Sequence, residues 1–196
     1  MTIVVLVLLG AVVVGQARGG SIRQLANLQL SKTGLVLEAG VLAALGQYGG
    51  RLGLPSRATY LTCTLLSALL VAVFVYTNRH MVGVPLIAIG FFLNALVIIA
   101  NGAMPVSERA ARFAGIDTGA VVAGSDAKHE LASSRTVLLP LADVIPLRLT
   151  GPVAWAANVY SFGDIVLAAG IGVLVLGGME RAEDEITAPS SSPAPS

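Results

Sequence analysis

Charge is scarce in this chain: Asp, Glu, Lys and Arg make up 12% of its 196 residues, where a soluble domain carries about 25%. So small a stock of charge cannot cover a folded surface of that size, and water is not its principal solvent. Neither sign dominates, with 12 Lys+Arg against 11 Asp+Glu, so no basic arm or face is present to hold a nucleic acid. One cysteine, Cys63, excludes an intramolecular disulfide and a multi-cysteine metal centre. No phosphate-binding glycine loop, Walker motif or serine nucleophile elbow occurs, and no cofactor is implied. What is abundant is apolar: 55% of the residues are hydrophobic and the mean hydropathy is +0.82. This composition defines an integral membrane protein whose first partner is the lipid bilayer.

A membrane-crossing helix needs about 20 mostly apolar residues. Residues 58–77 and 81–100 meet that directly, and residues 160–178 follow with one charge near the start. Residues 1–16 and 33–48 are shorter and cross if flanking residues reach the headgroups or the bilayer thins. The first segment lacks a basic n-region and an Ala-x-Ala site, so it is read as a retained helix, not a cleaved signal peptide. Gly19-Gly20 then breaks the chain, and Ser21-x-x-Gln24 opens an amphipathic helix over 21–30 that suits the headgroup plane. Residues 101–159 form one long loop. Within it Ser107 caps a short helix that Gly115 stops, and 136–149, interrupted by Pro140 and Pro146, suits a re-entrant or interfacial segment. Residues 179–196, acidic and then rich in Ser, Pro and Ala, read as a disordered tail. The expected fold is therefore all-α: a single transmembrane domain over 1–178, with a bundle of about five spans. Arg18, Arg23 and Lys32 in the first loop put that loop in the cytoplasm, the N-terminus and long loop outside, and the tail inside.

In lipid an ionisable or amide side chain is costly, which makes each one a functional candidate. Asp164 lies about a turn into the last span with Ala168 and Gly172 on the same face, so it faces protein. Asn94 and Asn101, seven residues apart, share one face of the fourth span. Asp143 sits between the prolines of the re-entrant candidate, and Glu38 is alone in the second span. Two carboxylates sharing a proton can activate water, so Asp143 and Asp164 are the catalytic candidates. Asn94, Asn101 and Glu38 complete the candidate polar set, and each could equally serve helix packing through hydrogen bonds. His129 is a lone loop histidine near Asp126 and Glu130, read as a solvated residue in preference to a metal ligand.

Two resemblances rest on these residues. Asn101-Gly102-Ala103-Met104-Pro105-Val106-Ser107, His129, Leu141 to Leu147 and Ser161-Phe162-Gly163-Asp164 resemble the landmarks of a domain-of-unknown-function family of small multi-pass membrane proteins from actinobacteria and clostridia. That resemblance implies a bacterial cytoplasmic membrane protein and brings no activity. Tyr160 to Asp164, with the apolar run behind it, is similar to the last helix of lipoprotein signal peptidase, where a Phe-Asn-x-Ala-Asp motif delivers a catalytic aspartate. Leu141-Ala142-Asp143-Val144-Ile145 is similar to that family's Val-Val-Asp-x-Ile segment. Ser161 stands in place of the motif asparagine, and Ser134-Arg135 in place of an Asp-Arg pair.

Three functions compete. The favoured one is a non-catalytic partner or sensor subunit of another membrane protein, its buried carboxylates fixing helix packing. The second is an aspartate-based hydrolase acting on a lipid-linked or membrane-embedded substrate. The third is a small proton-coupled transporter using Glu38 and Asp164, for which no internal repeat gives support.

Overall fold

The computed structural model describes residues 2–54, 56–123 and 126–180. Five long helices carry the mass of the chain: α1 (Thr2–Ala17), α3 (Gly34–Tyr48), α4 (Ser56–Asn78), α5 (Val84–Asn101) and α8 (Phe162–Glu180). Between them lie α2 (Ile22–Ala26), α6 (Glu108–Ala114), the single turn α7 (Gly119–Val122), and four three-residue strands: β1 (Met104–Val106), β2 (His129–Leu131), β3 (Ile145–Leu147) and β4 (Asn158–Tyr160). Three helices, α4 from Arg57, α5 and α8, are long and apolar enough to cross a membrane; α1 and α3 are apolar but shorter. Little of their surface is covered by the protein itself, with 22% of the most apolar stretch of α4 buried. Such exposed apolar faces demand a non-aqueous surrounding.

The long helices pack as a row in the order α3, α4, α5, α8, α1. Side-chain contacts fix their directions. Ser67 donates to the carbonyl of Ala39 at 3.0 Å, while Asn78 exchanges two hydrogen bonds with the backbone of Ser31 at 2.8 and 2.9 Å, so α3 and α4 are antiparallel. Along α5 and α8, Gly90 meets Gly163 and Gly83 meets Gly170, again antiparallel. The sevenfold spacing on each helix keeps the glycines on one seam. A methyl group added at Gly90 or Gly170 would strike backbone atoms of the other helix, so the two backbones come as close as glycine permits. Val7 packs beside Gly172 and Gly15 beside Met179, which makes α1 parallel to α8. One end of the row thus collects the start of α1, the end of α3, the start of α4, the end of α5 and the start of α8.

That end carries a cap built from residues 102–161, where the sequence suggested one long loop. Gly102 ends α5 in the left-handed region (φ 83°), and the chain turns directly into β1. β1 pairs in parallel with β2, and on its other side Asp143 donates its amide to the carbonyl of Pro105 at 3.0 Å and accepts from the amide of Ser107 at 2.9 Å. β3 pairs antiparallel with β4. Ser107 caps α6, accepting from the amide of Ala110, and Gly115 closes it. Val106, Ala110, Ala111, Ala114 and Val159 form the cap's core. A second cluster, Tyr60, Val97, Ile98, Met104 and Ala142, joins the cap to the helices below.

Three expectations are revised here. The fold is mostly helical but not all-α, because the long loop holds four strands. Strands of three residues carry no readable alternation and exist through partners distant in sequence. The stretch 136–149, expected as a re-entrant or interfacial segment, takes a more specific form: a 3-10 turn (Leu139–Leu141) leads through Asp143 to β3, with backbone bonds to β1 and β4. Met179 and Glu180, assigned to the tail, are the last residues of α8; 181–196 lie outside the described residues. At the opposite end from the cap, Ser21 and Gln24 close their capping box around α2, shorter than expected, and Leu25 and Leu28 turn toward the end of α8.

Candidate functional site

The site lies where cap meets helices. Asp164 is the third residue of α8, and Ser161 is its N-cap: the amide of Asp164 donates to Ser161 Oγ at 2.9 Å, and the amide of Ser161 donates to Asp164 Oδ2 at 3.4 Å. This is a capping box, with a carboxylate where the helix dipole favours negative charge. Asn94, two turns before the end of α5, completes a ring. Its amide nitrogen donates to Asp164 Oδ1 at 2.7 Å, and its oxygen accepts from the Ser161 hydroxyl at 2.7 Å. Only glycine fits at position 163 beside this ring, since an added methyl would strike Asn94 Oδ1. Ser161 is fully buried.

Asp143 comes from the cap. Pinned by its backbone to Pro105 and Ser107, Asp143 is buried, at 6% exposure, and among the described residues its Oδ1 has no hydrogen-bond partner. Burial first, and then the negative charge of Asp164, push its carboxyl from the usual 3.8 up to about 7. The charge of Asp164, at the head of α8, thus reaches Asp143 in the cap. On the other side of Asp143, His129 Nε2 lies 3.8 Å from Oδ2. His129 Nδ1 lies 2.8 Å from Asp126 Oδ2, while Asp126 Oδ1 accepts from the amides of Lys128 and His129. Burial works to raise Asp126, but the bond and charge of His129 together with those amides outweigh it and leave its carboxyl below the usual range. Burial, with the charge of Lys128, lowers His129 against the pull of Asp126 and Asp164. At neutral pH His129 is thus uncharged. Its proton sits on Nδ1, because an ionised Asp126 can only accept, and Nε2 presents a lone pair toward Asp143.

The remaining predicted residues go elsewhere. Asn101 donates to the carbonyls of Val97 and Val137 at 2.8 and 2.9 Å and accepts from the amide of Val137 at 2.8 Å, fastening the loop to the end of α5. The next residue, Leu138, is held at φ 59°, a left-handed conformation costly for a side chain of that kind. Glu38 lies on the exposed side of α3, which packs against α4 and not against α8. Arg57, at the start of α4, bonds the carbonyl of Asn101 at 3.1 Å and Glu130 at 2.7 Å, a further tie between cap and helices. Sequence reasoning passed over His129 as solvated, because Asp143, toward which its Nε2 turns, is remote in the chain. Ser161 was noted only as a departure from a motif, although Ser-x-x-Asp before an apolar run is itself a capping-box signature. Among the described residues no group of three or more His, Cys, Asp or Glu side chains is arranged to hold a metal ion.

These features define a class: a mostly helical protein with, among the described residues, three helices long and apolar enough to cross a membrane and a small cap that buries an acid. The family follows from a comparison of sequence models. Residues 24–176 match the model of the family of unknown function DUF5317, and the chain belongs to that family. No curated protein and no solved structure shows a significant match to it.

Proposed function

We propose that this chain is a five-span bacterial cytoplasmic membrane protein in which Asp143 and Asp164 act as a carboxyl pair to hydrolyse a lipid-linked or membrane-embedded substrate. The observation that carries this reading is the setting of Asp143: buried, with one oxygen unpartnered among the described residues, and within reach of the charge of Asp164, which together with burial raises it to about 7. An acid kept for packing is expected to have both oxygens satisfied, because a buried unpaired acceptor costs about 1 to 3 kcal/mol. An acid poised near neutrality beside another is what acid–base chemistry requires. Asp164 takes a proton from water as the water oxygen bonds to the substrate carbonyl. Asp143 gives its proton to the leaving group as that bond breaks, and the pair resets by passing one proton back. Asn94 and Ser161 position Asp164 throughout.

The alternating directions of α1, α3, α4, α5 and α8 support five crossings, with N-terminus and cap on one side. The short loops at the other end carry Arg18, Arg23, Lys32 and Arg79, which favours that end as cytoplasmic. The test compares lipid profiles and protein N-termini of membranes from cells expressing the wild type, Asp143→Asn or Asp164→Asn. A product that the wild type forms and both variants fail to form, with both variants eluting as folded protein, supports the pair; identical profiles for wild type and Asp164→Asn refute it.

A partner or sensor subunit is the second reading, favoured by the ring of Asn94, Asp164 and Ser161, which clamps α5 to α8 whatever else it does. On that reading Asp164→Asn keeps function and association, because an amide can also bond Asn94, whereas Asp164→Leu loses both. The transport reading finds no support in the placement of Glu38.

A further inference from the structure

Beside the carboxyl pair the cap holds an open cavity of about 400 Å³, lined among others by Arg57, Asp126, His129, Glu130 and Leu131. Asp143 does not line it. His129 stands between the two: its Nδ1 edge meets Asp126 on the cavity side, and its Nε2 edge faces Asp143. Its chain neighbour Ala142 belongs to the apolar cluster with Met104 and Tyr60, and among the described residues Asp143 Oδ1 has no hydrogen-bond partner. We propose that His129 is the proton carrier between the cap cavity and Asp143, with Asp126 orienting its ring and passing the proton on to the cavity. This rests on the carboxyl-pair reading for its purpose, not for its geometry.

The steps balance. Protonated Asp143 gives its proton to Nε2, and the Nδ1 proton passes to Asp126 and from there to solvent in the cavity, leaving an Asp143 carboxylate and a neutral imidazole of the other tautomer. The reverse sequence recharges the acid. At 3.8 Å the Nε2 to Oδ2 gap exceeds a hydrogen bond, so transfer needs a small ring rotation or one bridging water. That gap lets the relay be open or closed, and keeps Asp143 from being drained continuously. The charged and titratable groups around His129 are Asp126, Lys128 and Glu130 from its own segment, Asp143 from the turn before β3, Asp164 from α8, and Arg57 from α4 across the cavity. Asp126 fixes the Nδ1 proton. Lys128 disfavours a lasting imidazolium. Arg57 is neutralised by Glu130 at 2.7 Å.

The experiment reads the proton on Asp143 without any substrate. The whole protein in lipid nanodiscs is transferred from H₂O to D₂O at mildly acidic pD, and exchange of the protonated carboxyl is followed by its infrared C=O stretch, identified by its loss in Asp143→Asn. We expect His129→Gln and Asp126→Asn each to slow that exchange by about 100-fold, the lower range for a positioned acid–base group, with Glu108→Gln, on the exposed surface of α6, unchanged. A structural defect would loosen the cap and speed exchange, so slowing separates relay from packing. Wild-type exchange rates in either His129→Gln or Asp126→Asn overturn the relay. Should His129→Gln fail to fold, Asp126→Asn decides alone. Slow exchange in the variants together with no hydrolysis by the wild type would retain the relay and remove the hydrolase.

Discussion

Replacing Asp143 by asparagine should stabilise this protein, and increasingly so as pH rises. In the folded chain the Asp143 carboxyl titrates near 7, against 3.8 for the unfolded chain. The folded state therefore holds the proton more tightly than the unfolded state between those values. Stability contributed by the protonated acid is complete below 3.8, declines by about 1.4 kcal/mol per pH unit above it, and is fully lost above 7. The accumulated loss is on the order of 1 to 2 kcal/mol at pH 5 and on the order of 4 kcal/mol at pH 8. Asparagine, nearly the same shape and never charged, escapes the loss. The gap between variant and wild type should widen by about 3 kcal/mol from pH 5 to pH 8, on the order of 8 °C in melting temperature for a chain of this size. The sole cysteine offers the assay. Cys63 is buried between α3 and α4, at 5% exposure, so a thiol-reactive fluorophore reports unfolding with no background from other cysteines. Comparing the two proteins at each pH cancels the pH dependence of labelling itself. A gap that stays constant or narrows from pH 5 to pH 8 would show that Asp143 is not a buried acid opposed by Asp164, and the case for the pair would go with it.

Two further outcomes follow from the packing. Gly163→Ala should cost about 3 kcal/mol by the same thiol assay, the upper range for overpacking, because the added methyl strikes Asn94 Oδ1 and pries α8 from α5. Gly40→Ala, with nothing within 4 Å, is the silent control. Asn101→Ala removes three hydrogen bonds, two of them to Val137. Limited proteolysis within 133–139 should accelerate about tenfold or more, corresponding to about 1.4 kcal/mol of local opening, while the Cys63 transition stays in place.

The helices were legible because their physics is local. Residues 58–77 and 81–100 read as spans from continuous apolar runs, and the structure places α4 over Ser56–Asn78 and α5 over Val84–Asn101. The Ser21 and Ser107 caps follow equally from short-range hydrogen bonding. Asp164 was marked because an acid beside Ala168 and Gly172 must face protein, and it meets Asn94 across the glycine seam. The cap was not legible. Its strands are three residues long, and what holds Asp143 is a backbone bond to Pro105, some forty positions earlier, which no periodicity announces. The same distance hid His129, whose Nε2 faces Asp143 at 3.8 Å while its Nδ1 meets the neighbouring Asp126. Asn101 was placed on the right helix but given the wrong company, because a seven-residue spacing shows that it shares a face with Asn94 and not how far toward the cap it reaches.

The two acids owe their positions to different bodies, and this separation bears on how the site works. Asp164 belongs to the helices, fixed by the first turn of α8 and by α5. Its cost is lowered because the start of a helix already offers unpaired amides and a favourable dipole. Asp143 belongs to the cap, fixed by β1. Only burial under that cap, against Asp164, moves it toward neutrality; a cap lifted from the helices would return it to water and to an ordinary acid. The ties between the bodies, among the described residues, include the direct passages from α5 to β1 through Gly102 and from β4 to α8 through Ser161, the bonds of Asn101 to Val137, the reach of Arg57 to Asn101 and Glu130, and the apolar cluster around Met104 and Tyr60. Loosening any of them acts on the pair without touching either carboxyl. Asn101→Ala in the infrared exchange experiment therefore carries a sharp expectation of its own: faster exchange of the Asp143 carboxyl, opposite in sign to the effect of removing His129.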